Sequence, residues 1–396
     1  MIRILAAWSP GEIRVAAVAD GRLTDYALWR QGAPDGVGDI HRGRVIAIVP
    51  AMAGAFVALA DAEGFLPDSE GAKGLAATHR PATGMPATGM PATGMPATGM
   101  PATGLTAGTI LTVRISRAAL GGKGPRLSAR DVPVEDGPVG LRRRGLDPLR
   151  ELAARYPLAA IAVDDPALAA SLRADLGARL TRVARAFDDE IESEVEGLAA
   201  REIVLASGVA LSIYPTPALV AIDVDGGAAL AGRDSAQRRH RAVNTAVVPE
   251  LARQIRLRNL SGAILVDLAG LKPKQRQALA PDFAAALAAD PLRPRFLGFT
   301  ALGLAEIVRP RVRAPLHETL AGPLASGLGA LRAIVRVIQT DPGARLSLRA
   351  APAVVAALEA DPVALPDLAR IAGRGFNLRS DPSFPAETWR IEASNG

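Results

Sequence analysis

Two apolar runs, ALVAIDVDGG (218–227) and AILVDL (263–268), and the stretch VPELARQIRLRNL (248–260) between them decide the fold. Each run reads as a strand ending in an aspartate, Asp223 in the first and Asp267 in the second. The middle stretch reads as a helix: Val248, Leu251 and Ile255 share one face, Pro249 suits a first turn, and Gly262 suits an end. A strand–helix–strand crossover of this size makes two parallel strands with a right-handed connection. Parallel strands point their carboxyl ends the same way, so Asp223 and Asp267 belong at one edge, where open α/β sheets bind ligands. If the two strands are neighbours, their spacing of ~4.8 Å brings both carboxylates to bear on one point. Two such groups repel unless a cation lies between them or one is protonated. Oxygen ligands of this kind point to Mg²⁺ or Mn²⁺. The competing reading is that each aspartate caps the loop after its strand.

Working outward, residues 2–8 and 12–19 read as strands around a Ser9-Pro10-Gly11 turn. GRVIAIV (43–49), GAFVALA (54–60), EGFL (63–66) and TILTVRIS (109–116) are short and β-rich, as in a small barrel. PATGM then occurs four times from Pro81 to Met100 and once more as PATGL, Pro101–Leu105. That unit is too short for a solenoid and too small and polar to offset the entropy of ordering, so it reads as a flexible insertion in a barrel loop. Residues 119–157 are rich in Gly, Pro and Arg. Beyond them AAIAVDD (159–165) reads as a strand, Pro166–Leu176 and Asp188–Leu198 as helices, and REIVLASGVALSIY (201–214) as a hairpin about Ser207-Gly208. Gln275–Ala289 reads as one helix and 296–310 as a strand and turn, and AGPLASGLG (321–329) as a linker to a small separate α/β unit.

The chain has 396 residues, 49% of them apolar, so a wholly disordered chain is excluded. It has no cysteine, which excludes disulfides, Cys-type zinc sites, iron–sulfur clusters and thiol catalysis. Its four histidines, His41, His79, His240 and His317, show no metal-ligand spacing. The net charge is +6 and nearly all the basic residues are Arg, the side chain suited to forked phosphate contacts. Nucleic acid is the first candidate partner, beside a merely solvated basic surface. No stretch reads as membrane-spanning and the N-terminal residues lack a signal-peptide layout, so the expected location is cytoplasmic, with no membrane partner.

The stretches ALVAIDVDGG, VNTAVVPELARQIRLRNLSGAILVDL (243–268) and GFTALGLAEIVRPR (298–311) resemble the catalytic part of the ribonuclease E/G family. VGDIHRGRVIAIVPAMAGAFVALADAEGFLPDSE (37–70) is similar to that family's S1-type RNA-binding barrel, and ISRAALGGKGPRLSA (115–129) to the segment after it. The resemblance implies an α/β architecture: an S1-type OB barrel inserted in an RNase H-like part, then a DNase I-like catalytic subdomain and a small C-terminal unit. In this chain the parts are N-terminal strands at 1–36, the barrel with its repeat insertion at 37–118, and a shortened 5′-sensor-like segment at 119–157. The RNase H-like part resumes at 158–198, the catalytic subdomain covers 199–320, and the small C-terminal domain covers 321–396.

The implied activity is a Mg²⁺-dependent endoribonuclease that prefers single strands and leaves 5′-phosphate ends, with Mn²⁺ as the alternative ion. Its RNA would be a ribosomal RNA precursor or a messenger RNA. Asp223 and Asp267 fall on the family's metal-binding aspartates, and Asp225 where the family usually has an orienting Asn. Phe56 and Phe65 align with the barrel's base-contacting aromatics, and Arg117 takes the place of an RNA-contacting Lys. Phe56 and Phe65 also have an ordinary reading as core residues. Arg309 and Arg311 align with positions near the RNA path. His41, Arg42 and Arg44 and the helix residues Arg253, Arg256 and Arg258 are weaker phosphate candidates, as are Lys272 and Lys274.

The chain departs from the family in three places. RAPLHETLAGPLASGLGALR (313–332) stands where the family carries a CPxCxG-type zinc link, so no zinc is expected and a homodimer would need another surface. The 119–157 segment matches the family's 5′-monophosphate pocket only at Gly124, without the Arg-Thr pair. No long charged tail follows the catalytic part, as in the shorter, G-type members. The rival reading is a catalytically weak or inactive S1-type RNA-binding protein.

Overall fold

The computed structural model describes residues 1–71, 105–227, 236–373 and 376–393. The chain divides into two units, residues 1–34 with 147–396, and residues 35–146. The first begins as an antiparallel meander, β1 (Ile2–Ser9), β2 (Glu12–Ala19) and β3 (Arg22–Trp29). Gly11 makes the first turn at φ +74, and a Cβ there would lie 2.8 Å from that of Ala364, so only glycine fits.

Residues 35–146 form a barrel from β4 (Ile40–Val49), β5 (Gly54–Ala58), β6 (Glu63–Pro67), β7 (Ile110–Arg117), β8 (Arg126–Ser128) and β9 (Gly140–Arg143). The ring runs β5-β6-β8-β7-β4 and closes through β4–β5, while β9 pairs with β4 outside it. Val45, Val57, Leu66, Val113 and Leu127 fill its core from alternate positions of the strands. The repeat insertion expected at 81–105 lies outside the described residues except for Leu105, which is buried in that core. The barrel does not stop at residue 118: β8 and β9 belong to its sheet, and without β8 the ring would stay open between β6 and β7.

The first unit resumes with α1 (Pro148–Arg155), β10 (Ala160–Val163), α2 (Pro166–Leu176), β11 (Leu180–Arg182) and α3 (Asp189–Gly197). The side chains of Asp147, Asp165 and Asp188 cap the three helices by accepting from Arg150, Leu168 and Ile191 N–H. β10 adds in parallel to β1 and β11 to β10, giving the order β11-β10-β1-β2-β3.

A second sheet follows from β12 (Glu202–Val204), β13 (Ala210–Pro215), β14 (Val220–Asp225), α4 (Ala236–Leu257), β15 (Gly262–Asp267), α5 (Pro273–Gln277), α6 (Ala280–Leu287), β16 (Arg295–Phe299) and β17 (Ala305–Arg309). Its order is β12-β13-β14-β15-β17-β16, and β14 with β15 is its parallel pair. Val220, Ile222, Val224, Ile264 and Val266 cover one face under α4 and α6, as period-two alternation requires.

Three local expectations are corrected here. Helix α4 starts before Val248, so Pro249 lies inside it. The ring leaves the carbonyl of Thr245 without its helical donor, and Thr245 is exposed, so water can satisfy it. The helix ends at Asn259 (φ +48), not at Gly262: Leu260 N–H reaches Ile255 O and Asn259 N–H reaches Arg256 O, a Schellman closure with Asn in the left-handed position. Gly262 instead opens β15. The expected helix over 275–289 is split into α5 and α6, because Pro281 lacks the N–H that a continuous helix would donate to Gln277 O.

The chain ends with α7 (Leu316–Thr319), α8 (Pro323–Thr340), β18 (Leu346–Ala350), α9 (Pro352–Ala360), α10 (Ala364–Ala372), β19 (Asn377–Ser380) and β20 (Trp389–Ala393). The presumed linker 321–329 is mostly the start of α8. One of its glycines serves packing: a Cβ on Gly327 would come within 2.7 Å of Leu358. Nor is this part separate from the first sheet. Arg332 pairs with Glu12 at 2.6 Å, Arg336 pairs with Glu192, and Arg370 stacks 4.8 Å from the Trp8 ring.

Candidate functional site

Asp223 closes the register between β14 and β15, where it stands directly opposite Asp267. Ile222, Val224 and Val266 point into the core, so both aspartates face the open side of the sheet, and both are exposed. Asp225 lies two residues on, also exposed, and its Oδ1 accepts from Gly227 N–H at 2.9 Å, closing the turn after the strand.

The loop beyond Asp267 is held from two sides. From α4, Asn244 donates through Nδ2 to the Ala269 carbonyl (2.8 Å) and the His240 carbonyl (2.6 Å). The His240 ring packs so tightly on Gly270 (φ +56) that a Cβ there would lie 2.4 Å from its Nε2. From α5, Arg276 donates through Nε to Leu271 O (2.9 Å) and through Nη1 to Gly303 O, and Nη1 lies 3.5 Å from Asp267 Oδ1. Asn244, His240 and Arg276 did not stand out in the sequence. For His240 and Arg276 the signal that could have found them is the pair of glycines, Gly270 and Gly303, each crowded by one of these side chains.

The donors at this edge are carboxylate oxygens, without sulfur, and two like charges in register on neighbouring strands favour a cation between them. Among the described residues no group of three or more His, Cys, Asp or Glu side chains converges. The set therefore fits a hard divalent ion that keeps most of its ligands as water or substrate oxygen, as Mg²⁺ does, and Asp223 and Asp267 are the two residues that could hold it.

On the barrel, Phe56 stands opposite Phe65, Phe65 is bridged to Arg126, and Arg126 stands opposite Arg117. Directly paired residues share a face. The four side chains thus form one row across four strands, two aromatics followed by two guanidinium groups. The rings meet edge to face at 5.5 Å, each half-buried, and Arg126 is exposed. Their neighbours Val57, Leu66 and Leu127 point inward.

Most other candidates are occupied. Arg309 is 3% exposed and bonded to Asp290 (2.6 Å), Asn259 Oδ1 (2.7 Å) and Leu260 O (3.1 Å), so its guanidinium is spent on tying α4's end to the strand. Arg311 is paired with Glu318 at 2.5 Å. Arg253 is held by Glu250 and Glu194, and Arg256 by Thr24 O. Arg258, whose pKa burial pulls down to about 10, donates to Gly197 O and Ala200 O at the end of α3. His41 is buried, and burial lowers its pKa. Arg42 reaches Glu135 O, while Arg44, Lys272 and Lys274 are exposed.

Residues 173–312 match the model of the Ribonuclease E/G family. Over 217 residues the chain is 28% identical to Ribonuclease G of Escherichia coli, covering 51% of this chain and 44% of that protein. It is 34% identical over 136 residues to a chloroplastic Ribonuclease E/G-like protein of Arabidopsis thaliana, 34% of this chain and 14% of the other. It is 32% identical over 162 residues to Ribonuclease E of Escherichia coli, 38% and 15% of the two chains. The chain thus spans less than half the length of these relatives.

Proposed function

Since residues 173–312 place this chain in the ribonuclease E/G family, we propose that it is an endoribonuclease that cuts single-stranded RNA with the help of Mg²⁺ at Asp223 and Asp267. The observation that carries the reading is the register pairing of these two aspartates on parallel strands. Bound between them, the ion would supply Lewis-acid polarisation of a phosphoryl oxygen and a more acidic water. The chain's own residues supply the rest. Asn244 and Arg276 fix the loop that follows Asp267, and Asp225 shapes the turn after Asp223. The Phe56–Phe65–Arg126–Arg117 row offers two stacking rings beside two phosphate partners, which suits an unpaired strand more than a duplex. Hydrolysis forms a bond from water oxygen to phosphorus and breaks the bond to the 3′ oxygen, leaving 5′-phosphate and 3′-hydroxyl ends.

No helix among the described residues is long and apolar enough to cross a membrane. We place the protein's work in RNA processing or turnover in the cytoplasm. The test is the purified protein on a fluorescent single-stranded RNA, with Mg²⁺ and with EDTA. Cleavage that needs the ion and yields 5′-phosphate ends supports the reading. Tight binding without cleavage in any divalent ion would leave an S1-type RNA-binding protein.

A further inference from the structure

The guanidinium of Arg276 is fixed on one side and open on the other. Of its five N–H groups, Nε–H is spent on Leu271 O, and the two on Nη1 face Gly303 O and Asp267 Oδ1. Nη2 has no protein partner among the described residues, yet it is not one of the buried orphan atoms, so it reaches solvent although the side chain is only 14% exposed. Two of its three contacts are backbone carbonyls, which hold its orientation without neutralising it. The third is one carboxylate of the pair. Gly303, at φ +89, belongs to the same arrangement, because a Cβ there would come within 2.7 Å of Nη1.

We propose that Nη2 of Arg276 binds a non-bridging oxygen of the RNA phosphate at the Asp223/Asp267 edge, which makes Arg276 a phosphate-binding residue of the active site. This rests on the nuclease reading above. Charge supports it: two carboxylates and one guanidinium sum to one negative charge, a divalent ion makes that one positive, and a phosphodiester balances it. The rigid fork matters too, since an arginine held by carbonyls meets an anion without first losing rotamer freedom.

The experiment compares the unmutated protein with Arg276→Gln and Arg276→Lys. Single-strand RNA affinity is read by fluorescence anisotropy in EDTA across a salt series, and kcat/KM is read in Mg²⁺. Arg276→Gln is expected to weaken binding about tenfold and to lower the slope of log affinity against log salt by about 0.7, the loss of one phosphate contact. It also lowers kcat/KM by at least about tenfold. Unchanged affinity and slope in Arg276→Gln would overturn the proposal and leave Arg276 a support for Asp267 alone. If that variant melts too early to measure, Arg276→Lys decides. Its single ammonium keeps the charge but not the fork, so binding stays within about threefold while kcat/KM falls, and a wild-type kcat/KM overturns the proposal. Failure of the nuclease reading looks different: the unmutated protein binds but does not cleave, and the salt-slope comparison stands on its own.

Discussion

Asp223 and Asp267 occupy the same register position on the parallel strands β14 and β15, and both face away from α4. Like charges set directly opposite are destabilising by a few tenths of a kcal/mol to about 1 kcal/mol. Asp223→Asn and Asp267→Asn should therefore leave the melting temperature unchanged or slightly higher in the absence of divalent ions. Cleavage should fall by at least about 10³-fold, the scale of losing charge stabilisation in the transition state. RNA affinity in EDTA should hold. Thermal melts beside a cleavage assay check this: a fall of several degrees with either variant would mean that the aspartates are loop caps.

The barrel row separates stacking from charge. Phe56→Ala should weaken single-strand binding by about 1–3 kcal/mol, the measured range for one stacked base, without changing the salt slope. Phe65→Ala should do the same and also lower stability, because its ring lies over Gly54, where a Cβ would meet Cζ at 2.5 Å. Anisotropy titrations at two salt concentrations, with melts of each variant, distinguish the two roles.

Arg309 is predicted to matter for folding and not for RNA. Its guanidinium and the Asp290 carboxylate are both nearly sealed from water, 3% and 4% exposed. Removing one partner of such a pair leaves a buried charge alone and costs about 3–5 kcal/mol. Arg309→Ala should show that loss in a denaturant titration, while its folded fraction binds RNA normally. Reduced affinity in the folded fraction would restore Arg309 to the RNA path.

Arg309 shows where sequence reading ran out. An arginine in EIVRPR looks the same whether it faces a phosphate or Asp290, because pairing with a partner 19 residues away is a tertiary fact. The crossover from Asp223 to Asp267 was legible because strand direction and side-chain alternation are local and nearly obligatory. The length of α4 was not, since Pro249 is an ordinary stop signal and only its exposed face makes it tolerable inside. The glycines of 321–329 looked like a linker until Leu358 gave Gly327 a packing reason. At the candidate site the aspartates were visible, but Arg276 was not, because its placement depends on carbonyls at Leu271 and Gly303.

Acid should loosen the first unit through Glu192 and Glu250. Burial pushes both carboxyls up. The guanidinium groups around them, Arg14 with Arg336 and Arg332 at Glu192, and Arg253 with Arg22 at Glu250, outweigh it, and Gln254 adds a hydrogen bond to Glu250. Both folded-state values thus lie below the ordinary 4.5. Depressed acids contribute stability above that value and lose it as pH falls through their folded pKa. Asp164, raised chiefly by burial, has the opposite sign and loses its contribution as pH rises through its folded value. Glu192→Gln should melt several degrees below the unmutated protein at pH 7, and the gap should narrow below pH 4. A gap constant with pH would show that Glu192 is not the titrating group.

The last prediction concerns the RNA 5′ end. Gly124 was the one match in 119–157 to the family's monophosphate pocket, and the structure gives it another reason to be glycine: a Cβ there would lie 1.8 Å from Glu63 O. Its neighbour Pro125 accepts from Phe65 N–H at 2.9 Å, so this stretch is spent on closing β8 against β6. The segment's other strand, β9, is paired to β4. With these strands committed to the barrel, and no Arg-Thr pair in the segment, a pocket that reads the terminal phosphate lacks its parts. Cleavage rates on otherwise identical RNAs carrying 5′-monophosphate, 5′-triphosphate or 5′-hydroxyl should agree within about twofold, less than the tenfold that a difference of 1.4 kcal/mol would make. A monophosphate preference of tenfold or more would mean that another part of the chain senses the end.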